Sequence, residues 1–167
     1  MWLAAIASTW ASPPAPVVEN VGDHGVRGTV ELGLAPAELR ALLENPVALY
    51  RITNANADIS VSPDPDPDCR RVTMMTPHPV MDTSYVSREC DTAAGVTARL
   101  VESRQLSHLS GEWTLEPRKN STLLRYELHV RTNMPVPAFM VRGSTRKGVQ
   151  SALERLQQAY PVKSVAP

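Results

Sequence analysis

Apolar and polar side chains alternate along most of the middle of the chain, as in β-strands that bury only one face. The alternation predicts about seven strands. They cover residues 26–32, 57–62, 70–76, 83–90, 96–102, 107–116 and 122–131. Turn-forming residues separate the runs, so we expect an antiparallel sheet.

Helical signals interrupt the strands at two places. After the first strand, Ala35-Pro36 begins a helix that ends near Leu43, and Asn45-Pro46 separates it from a further turn at 47–51. After the last strand, Pro137 opens a helix of about 22 residues. Its apolar stripe is Val141, Thr145, Val149, Ala152, Leu156 and Tyr160. The order predicts an α+β fold with the sheet curled around this helix.

The last two strands carry enough pattern for a register to be predicted. Placing Leu115 opposite Thr122 aligns their apolar faces, with Trp113 opposite Leu124. The same register makes two further pairs on the polar face: Glu112 with Arg125, and His108 with His129. The histidines would be solvated side chains or, less simply, a weak metal site.

Three segments resemble the START-like (SRPBCC) superfamily, which includes polyketide cyclases and coenzyme-Q-binding proteins. They are ELGLAPAELRALLENP, the pair GEWTLEP and STLLRYELHV, and NMPVPAFMVRGSTRKGVQSALERLQ. The resemblance covers roughly residues 25–160. It implies a helix-grip fold, with a cavity between the sheet and the last helix for a lipid, quinone, sterol or polyketide-like molecule.

Candidate ligand-binding residues are the bulky side chains expected on the inner face: Met74, Tyr85, Trp113, Tyr126 and Phe139. Each would be either a cavity wall or ordinary core packing. Arg70 and Glu89 would face each other on the same side of the sheet. This pair would recognise a polar ligand head or form a salt bridge at the rim.

Charge is balanced overall but unevenly distributed. Seventeen basic and seventeen acidic residues cancel, which argues against a nucleic-acid binder. Residues 1–68 nevertheless carry a net charge of −6 and residues 69–167 carry +6. The two parts would attract each other, or the basic part would face an acidic ligand or a membrane surface. Arg142, Arg146 and Lys147, early on the last helix, would meet an anionic head group or form a solvated face.

The chain divides into three predicted parts. Residues 1–21 combine a signal-like segment, with small residues before a cleavage point at Ala11, and a proline-bearing linker. Residues 22–160 form the ligand-binding domain and 161–167 a tail. A secretory signal predicts a secreted or periplasmic protein. A plain N-terminal extension would leave a cytoplasmic protein.

Cys69 and Cys90 are the two cysteines, and they flank a loop centred near position 79.5. Pairing the strands about that centre places the cysteines directly opposite each other, within reach of a disulfide. The same register opposes Arg71 and Arg88, which is unfavourable. A slip by one residue would relieve that contact and leave two free thiols on opposite faces.

No motif for nucleophilic, phosphate-binding or metal chemistry stands out. Asp64, Asp66 and Asp68 are interleaved with prolines, which favours an extended acidic loop over a calcium site. The sequence therefore predicts a module that carries or senses a hydrophobic small molecule, with no catalytic residue, metal or cofactor assigned. An aromatase/cyclase and a protein-interaction module are the alternatives.

Overall fold

Eight antiparallel strands form one sheet, and a long C-terminal helix packs against it. The computed structural model describes residues 14–77 and 82–163. The strands are β1 (Val17–Val21), β2 (Gly25–Leu32), β3 (Asp58–Pro63), β4 (Cys69–Thr76), β5 (Thr83–Asp91), β6 (Gly95–Ser103), β7 (Leu106–Pro117) and β8 (Thr122–Thr132). The helices are α1 (Pro36–Leu43), α2 (Pro46–Thr53) and α3 (Ala138–Ala159). The predicted α+β helix-grip fold is confirmed.

The strand order is β1-β2-β8-β7-β6-β5-β4-β3, so β2 joins the last strand and curls the sheet around α3. β1 is the strand that the sequence analysis missed. Its residues lie in the segment predicted as a linker, and that prediction is wrong for 17–21. Val18 is opposite Gly28 on β2 and is 8% exposed. Five residues next to prolines are too short for alternation to be recognised, and pairing with β2 supplies the order.

The two short helices begin at the prolines, as predicted, and a side chain caps the start of each. The Glu38 carboxylate accepts a hydrogen bond from the Ala35 backbone N–H at 2.9 Å, and Asn45 Oδ1 accepts one from Ala48 at 3.1 Å. Proline at the first helical position needs no donor there. Asn45 therefore caps α2 instead of only ending α1, and α2 runs for eight residues where one turn was predicted.

The contact between α3 and β2 is tight because β2 has a glycine there. Val149 and Leu153 of α3 are almost fully buried over Gly28. A Cβ at Gly28 would lie 2.4 Å from Leu153 Cδ1 and 2.7 Å from Val149 Cγ1. The absent side chain thus sets how closely the helix approaches the sheet. In the described part of the chain, none of the helices is long and apolar enough to cross a membrane.

The β4–β5 register is the predicted one. Cys69 lies opposite Cys90 and the two form a disulfide. The opposed Arg71 and Arg88 are reconciled by Asp64. Arg88 donates to the Asp64 carboxylate at 3.0 and 3.1 Å, and Arg71 Nε lies 3.6 Å from it. An acidic side chain between the two guanidinium groups removes the like-charge conflict.

The predicted β7–β8 register is wrong by two residues. Leu115 pairs with Leu124 and Trp113 with Tyr126, and Pro117 pairs with Thr122 at the end of the hairpin. A shift of two keeps every side chain on its face, so hydrophobic alternation cannot detect it. The tighter turn decides it, with the Arg118 N–H donating to the Ser121 carbonyl at 3.0 Å. Further pairs change: Glu112 lies opposite Glu127, and His108 opposite Arg131.

Candidate functional site

A cavity of about 350 Å³ lies between the inner face of the sheet and the helices α2 and α3. This volume is at the lower end of the range of about 300–1,000 Å³ for small-molecule sites. The lining residues are Tyr50, Thr53, Asn54, Met74, Thr76, Tyr85, Trp113, Tyr126, Leu128, Gly148, Ser151, Ala152 and Arg155. Strands supply most of the aromatic and apolar residues, and helices supply most of the polar ones.

The sheet side of the cavity is aromatic. The rings of Trp113 and Tyr126 stack with centroids 3.6 Å apart and planes inclined by 6°. Their strands pair directly at these two positions, which brings the rings face to face. Tyr85 lies opposite Met74 on the neighbouring hairpin, and its hydroxyl donates to Met74 Sδ at 3.0 Å. Because the two stacked rings cover each other's inner faces, they offer a ligand their edges and outer faces.

The helix side is more polar. The Asn54 amide, just after α2, donates to Thr76 Oγ1 at 3.4 Å. Ser151 and Arg155 are one turn apart on α3, with the small Gly148 one turn before Ser151. Ser151 and Arg155 are exposed to solvent while also lining the cavity. The cavity therefore opens to solvent beside α3.

Arg70 and Glu89 do pair across the strands, and Tyr50 completes their network. The Tyr50 hydroxyl donates to Glu89 Oε1 at 2.8 Å, and Arg70 Nε lies 3.8 Å from Glu89 Oε2. Arg70 also donates to Asp91 at 2.8 Å and to the Leu43 carbonyl at 3.4 Å. Tyr50 lines the cavity, whereas Arg70 and Glu89 do not. The network ties α1 and α2 to the sheet.

Burial dominates the electrostatics of this network. Glu89 is 3% exposed, and burial raises the pKa of its carboxyl, against the opposing effects of the Tyr50 hydrogen bond and of Arg70. Burial also raises the pKa of Tyr50 well above its usual value, and the neighbouring Glu89 adds to this. Loss of water raises the pKa of Tyr85 and of Tyr126. The tyrosines that line the cavity are therefore protonated hydrogen-bond donors at neutral pH.

The structure brings four of the five predicted large side chains to one cavity and leaves Phe139 outside it. Phe139 is 67% exposed in the first turn of α3, next to Met140 at 54%. It precedes the half-buried Val141 of the apolar stripe by two positions, so its side chain points to the other side of the helix. The placement of Phe139 on the cavity wall is corrected accordingly.

The two histidines on the outer face do not meet. His129 Nε2 lies 2.8 Å from Glu127 Oε1, and the same carboxylate accepts from Arg27 Nε at 2.8 Å. Hydrogen bonding to His129 and to Arg27 lowers the pKa of Glu127. His108 contacts Ser110 instead. Across residues 14–77 and 82–163, no group of three or more potential ligands is placed to hold a metal ion.

Several lining residues were missed by sequence reasoning. Tyr50, Thr53 and Asn54 have the spacing of one helical face, but α2 was predicted as one turn, so its face was not considered. Ser151 and Arg155 follow the edge of the buried α3 stripe at helical spacing. A helical wheel of both helices would have found them.

Many solved structures share this fold. A START superfamily protein from Mycobacterium smegmatis aligns with a TM-score of 0.64 at 20% identity, over 81% of this chain and 99% of that one. A STAR-related lipid transfer protein from Xanthomonas axonopodis aligns with 0.63 at 17%, over 85% and 90%. The Zhui aromatase/cyclase from Streptomyces sp. R1128 aligns with 0.56 at 19%, over 81% and 87%.

No family model and no curated protein matches the chain. Because the three sequence identities are low, these similarities show a shared fold and nothing further. The chain thus has a START-like helix-grip fold, as the sequence resemblance indicated.

Proposed function

We propose that this protein binds and carries a hydrophobic small molecule in the cavity between its sheet and α3. The observation that carries the proposal is the stacked Trp113–Tyr126 pair, which forms one wall of a cavity large enough for a ligand. A core built only for stability packs its aromatic side chains against other side chains and leaves few voids. Here the rings of Tyr85, Trp113 and Tyr126 border open space.

The test is to block the cavity from the helix side. Ser151→Phe places a ring at the opening, and Ser144→Phe makes the same change at an exposed α3 position outside the lining. The probe is phenylnaphthylamine, a neutral fluorophore that brightens in apolar sites. We expect Ser151→Phe to weaken its binding by about tenfold or more, because overpacking a fitted site costs on the order of 1–3 kcal/mol.

Ser144→Phe should bind the probe like the parent protein. Native mass spectrometry of freshly purified protein should also show a co-purified molecule that Ser151→Phe lacks. Equal binding by both variants would place the probe elsewhere and contradict the proposal. Binding of an apolar peptide in place of the probe would favour the protein-interaction alternative.

We also propose that the protein makes transient contact with membranes through the first turns of α3. Phe139 and Met140 are exposed there, and Arg142, Arg146 and Lys147 follow within two turns. Among the described residues, Arg142 donates to the Asp23 backbone carbonyl and Arg146 to the Asn20 side-chain oxygen, and neither forms an ion pair. Exposed apolar side chains beside unneutralised cations suit an anionic lipid surface.

An oxidising compartment is the proposed location, because the Cys69–Cys90 disulfide persists outside the cytosol. The signal-like segment lies outside the described residues. A secreted or periplasmic protein agrees with both features. A free-thiol count on protein from its native source would distinguish this location from the cytoplasm.

The aromatase/cyclase alternative is favoured by one feature, the titratable groups beside the cavity. Tyr50 and Tyr85 line it, and Glu89 contacts Tyr50 from behind. A cyclase would change the mass or absorbance of a polyketide-like ligand during incubation, whereas a carrier releases it unchanged. Mass spectrometry of the released ligand separates the two functions.

A further inference from the structure

Among the described residues that line the cavity, Arg155 is the one that is formally charged. It extends from α3 at the polar wall, next to Ser151 one turn earlier. The described lining contains no carboxylate. The described lining therefore carries one positive charge, at the side of the cavity that faces solvent.

The Arg155 guanidinium is also unengaged. Among the described residues, neither a hydrogen bond nor an ion pair involves it. The adjacent Glu154 accepts from Gln150 Nε2 at 2.6 Å, on another side of α3. By contrast, the buried Arg70 is paired with Glu89 and Asp91. The cation at the cavity is thus free to pair with a group that enters from solvent.

We propose that the ligand is an anionic amphiphile, with an apolar body and an acidic group that pairs with Arg155. The inference rests on the proposed function and adds the ligand's charge to it. The apolar body lies against Trp113 and Tyr126, and the acidic group stays at the solvent-facing opening. A guanidinium presents several N–H donors in one plane, which matches a carboxylate or sulfonate. A cationic ligand would meet Arg155 and find no carboxylate in the described part of the lining to offset the repulsion.

The geometry also explains why the acid would not be drawn deeper. Glu89 lies beyond Tyr50, and its buried carboxyl would oppose a second acidic group. The aromatic wall offers tyrosine hydroxyls but no cation, since Arg70 is held by its own partners. The favourable position for negative charge is therefore at Arg155.

Two fluorophores of similar shape test the proposal: anilinonaphthalene sulfonate, which is anionic, and phenylnaphthylamine, which is neutral. Arg155→Gln removes the charge at the cavity. Arg125→Gln makes the same change on β8, at an exposed position outside the lining. We expect Arg155→Gln to weaken binding of the sulfonate by about three- to tenfold. The affinity for the neutral probe should change by less than about twofold.

Arg125→Gln should leave both affinities unchanged, and Ser151→Phe should abolish the sulfonate signal that comes from the cavity. Raising the salt concentration should reduce the preference for the sulfonate in the parent protein more than in Arg155→Gln. Equal losses for both probes, or no loss for the sulfonate, would overturn the assignment of charge while leaving hydrophobic binding intact. Failure of both probes to bind the parent protein would instead overturn the proposed function, and this inference with it.

Discussion

Glu89 is a carboxyl group held away from water by its neighbours. Tyr50 donates a hydrogen bond to it, and Arg70 lies close enough for attraction without a direct hydrogen bond from Nε. Arg70 Nε is buried with no hydrogen-bond partner. Burying this pair is costly, so the network contributes a fixed arrangement of α1, α2 and sheet more than net stability.

The pH dependence of stability should report on Glu89. Its pKa is raised in the folded protein because it is buried, so the folded state binds this proton more readily than the unfolded state. The contribution of this carboxyl to the stability of the wild-type protein is present at low pH and is lost as the pH rises through the raised pKa. We therefore expect the unfolding free energy of Glu89→Gln minus that of wild type to increase from pH 4 to pH 8.

Urea unfolding at several pH values measures this difference. Glu102→Gln, an exposed change on β6, is the matched control and should give a curve parallel to wild type. A Glu89→Gln curve that is also parallel would show that burial does not perturb this carboxyl.

At the scale of elements, two close contacts hold the fold at its two ends. The disulfide joins β4 to β5 and closes a loop with a sequence separation of 21 residues. In the chain-entropy model, such a loop contributes about 3 kcal/mol by constraining the unfolded chain. At the other end, Gly28 lets α3 approach β2.

Gly28→Ala should therefore push α3 away from the sheet. The new methyl group would overlap Val149 and Leu153, which are buried and have little room to move. We expect a loss of about 1–3 kcal/mol in the free energy of unfolding, as for other overpacked cores. Thermal or urea denaturation measures it.

Gly111→Ala is the control on β7. A Cβ there would meet its nearest neighbours at 3.6–3.7 Å, an ordinary contact distance. This variant should stay within about 1 kcal/mol of wild type. Equal effects of the two substitutions would indicate a general cost of replacing strand glycines, with no specific role for the α3–β2 contact.

At the scale of the whole molecule, an exposed apolar turn lies at the start of α3, the helix that also forms one wall of the cavity. The positive side chains Arg142, Arg146 and Lys147 follow it, and no ion pair among the described residues involves them. A surface of this kind would bring the protein to an anionic membrane from which a hydrophobic ligand enters or leaves.

Vesicle sedimentation tests this contact. Replacing Phe139 and Met140 together by serine should weaken binding to vesicles containing phosphatidylserine by about tenfold or more, because two apolar side chains no longer enter the interface. Replacing the exposed Val61 and Val101 by serine is the control and should have no effect. Equal binding of all three proteins, or equal binding to purely zwitterionic vesicles, would contradict the proposed surface.

The sequence by itself determined the order of the elements from β2 to α3, the inward faces of their strands and the β4–β5 pairing. Alternation and helical spacing are local properties, because they depend only on which neighbours along the chain face the same way. The Cys69–Cys90 pairing followed from the symmetry of one hairpin. The same register places Arg71 opposite Arg88, and the free-energy cost of that contact argued against the pairing. Asp64, which lies outside the hairpin, offsets this cost.

Tertiary structure decided the rest. Two registers of β7 and β8 place the same faces inward, and only the closing turn and the Trp113–Tyr126 stack select one of them. β1 is ordered by β2 and has too few residues to show a pattern. The cavity depends on distances between elements that are far apart in sequence. For this reason the bulky inward residues were recognised from the strands, whereas Tyr50 and Arg155 were assigned only when α2 and α3 were in place.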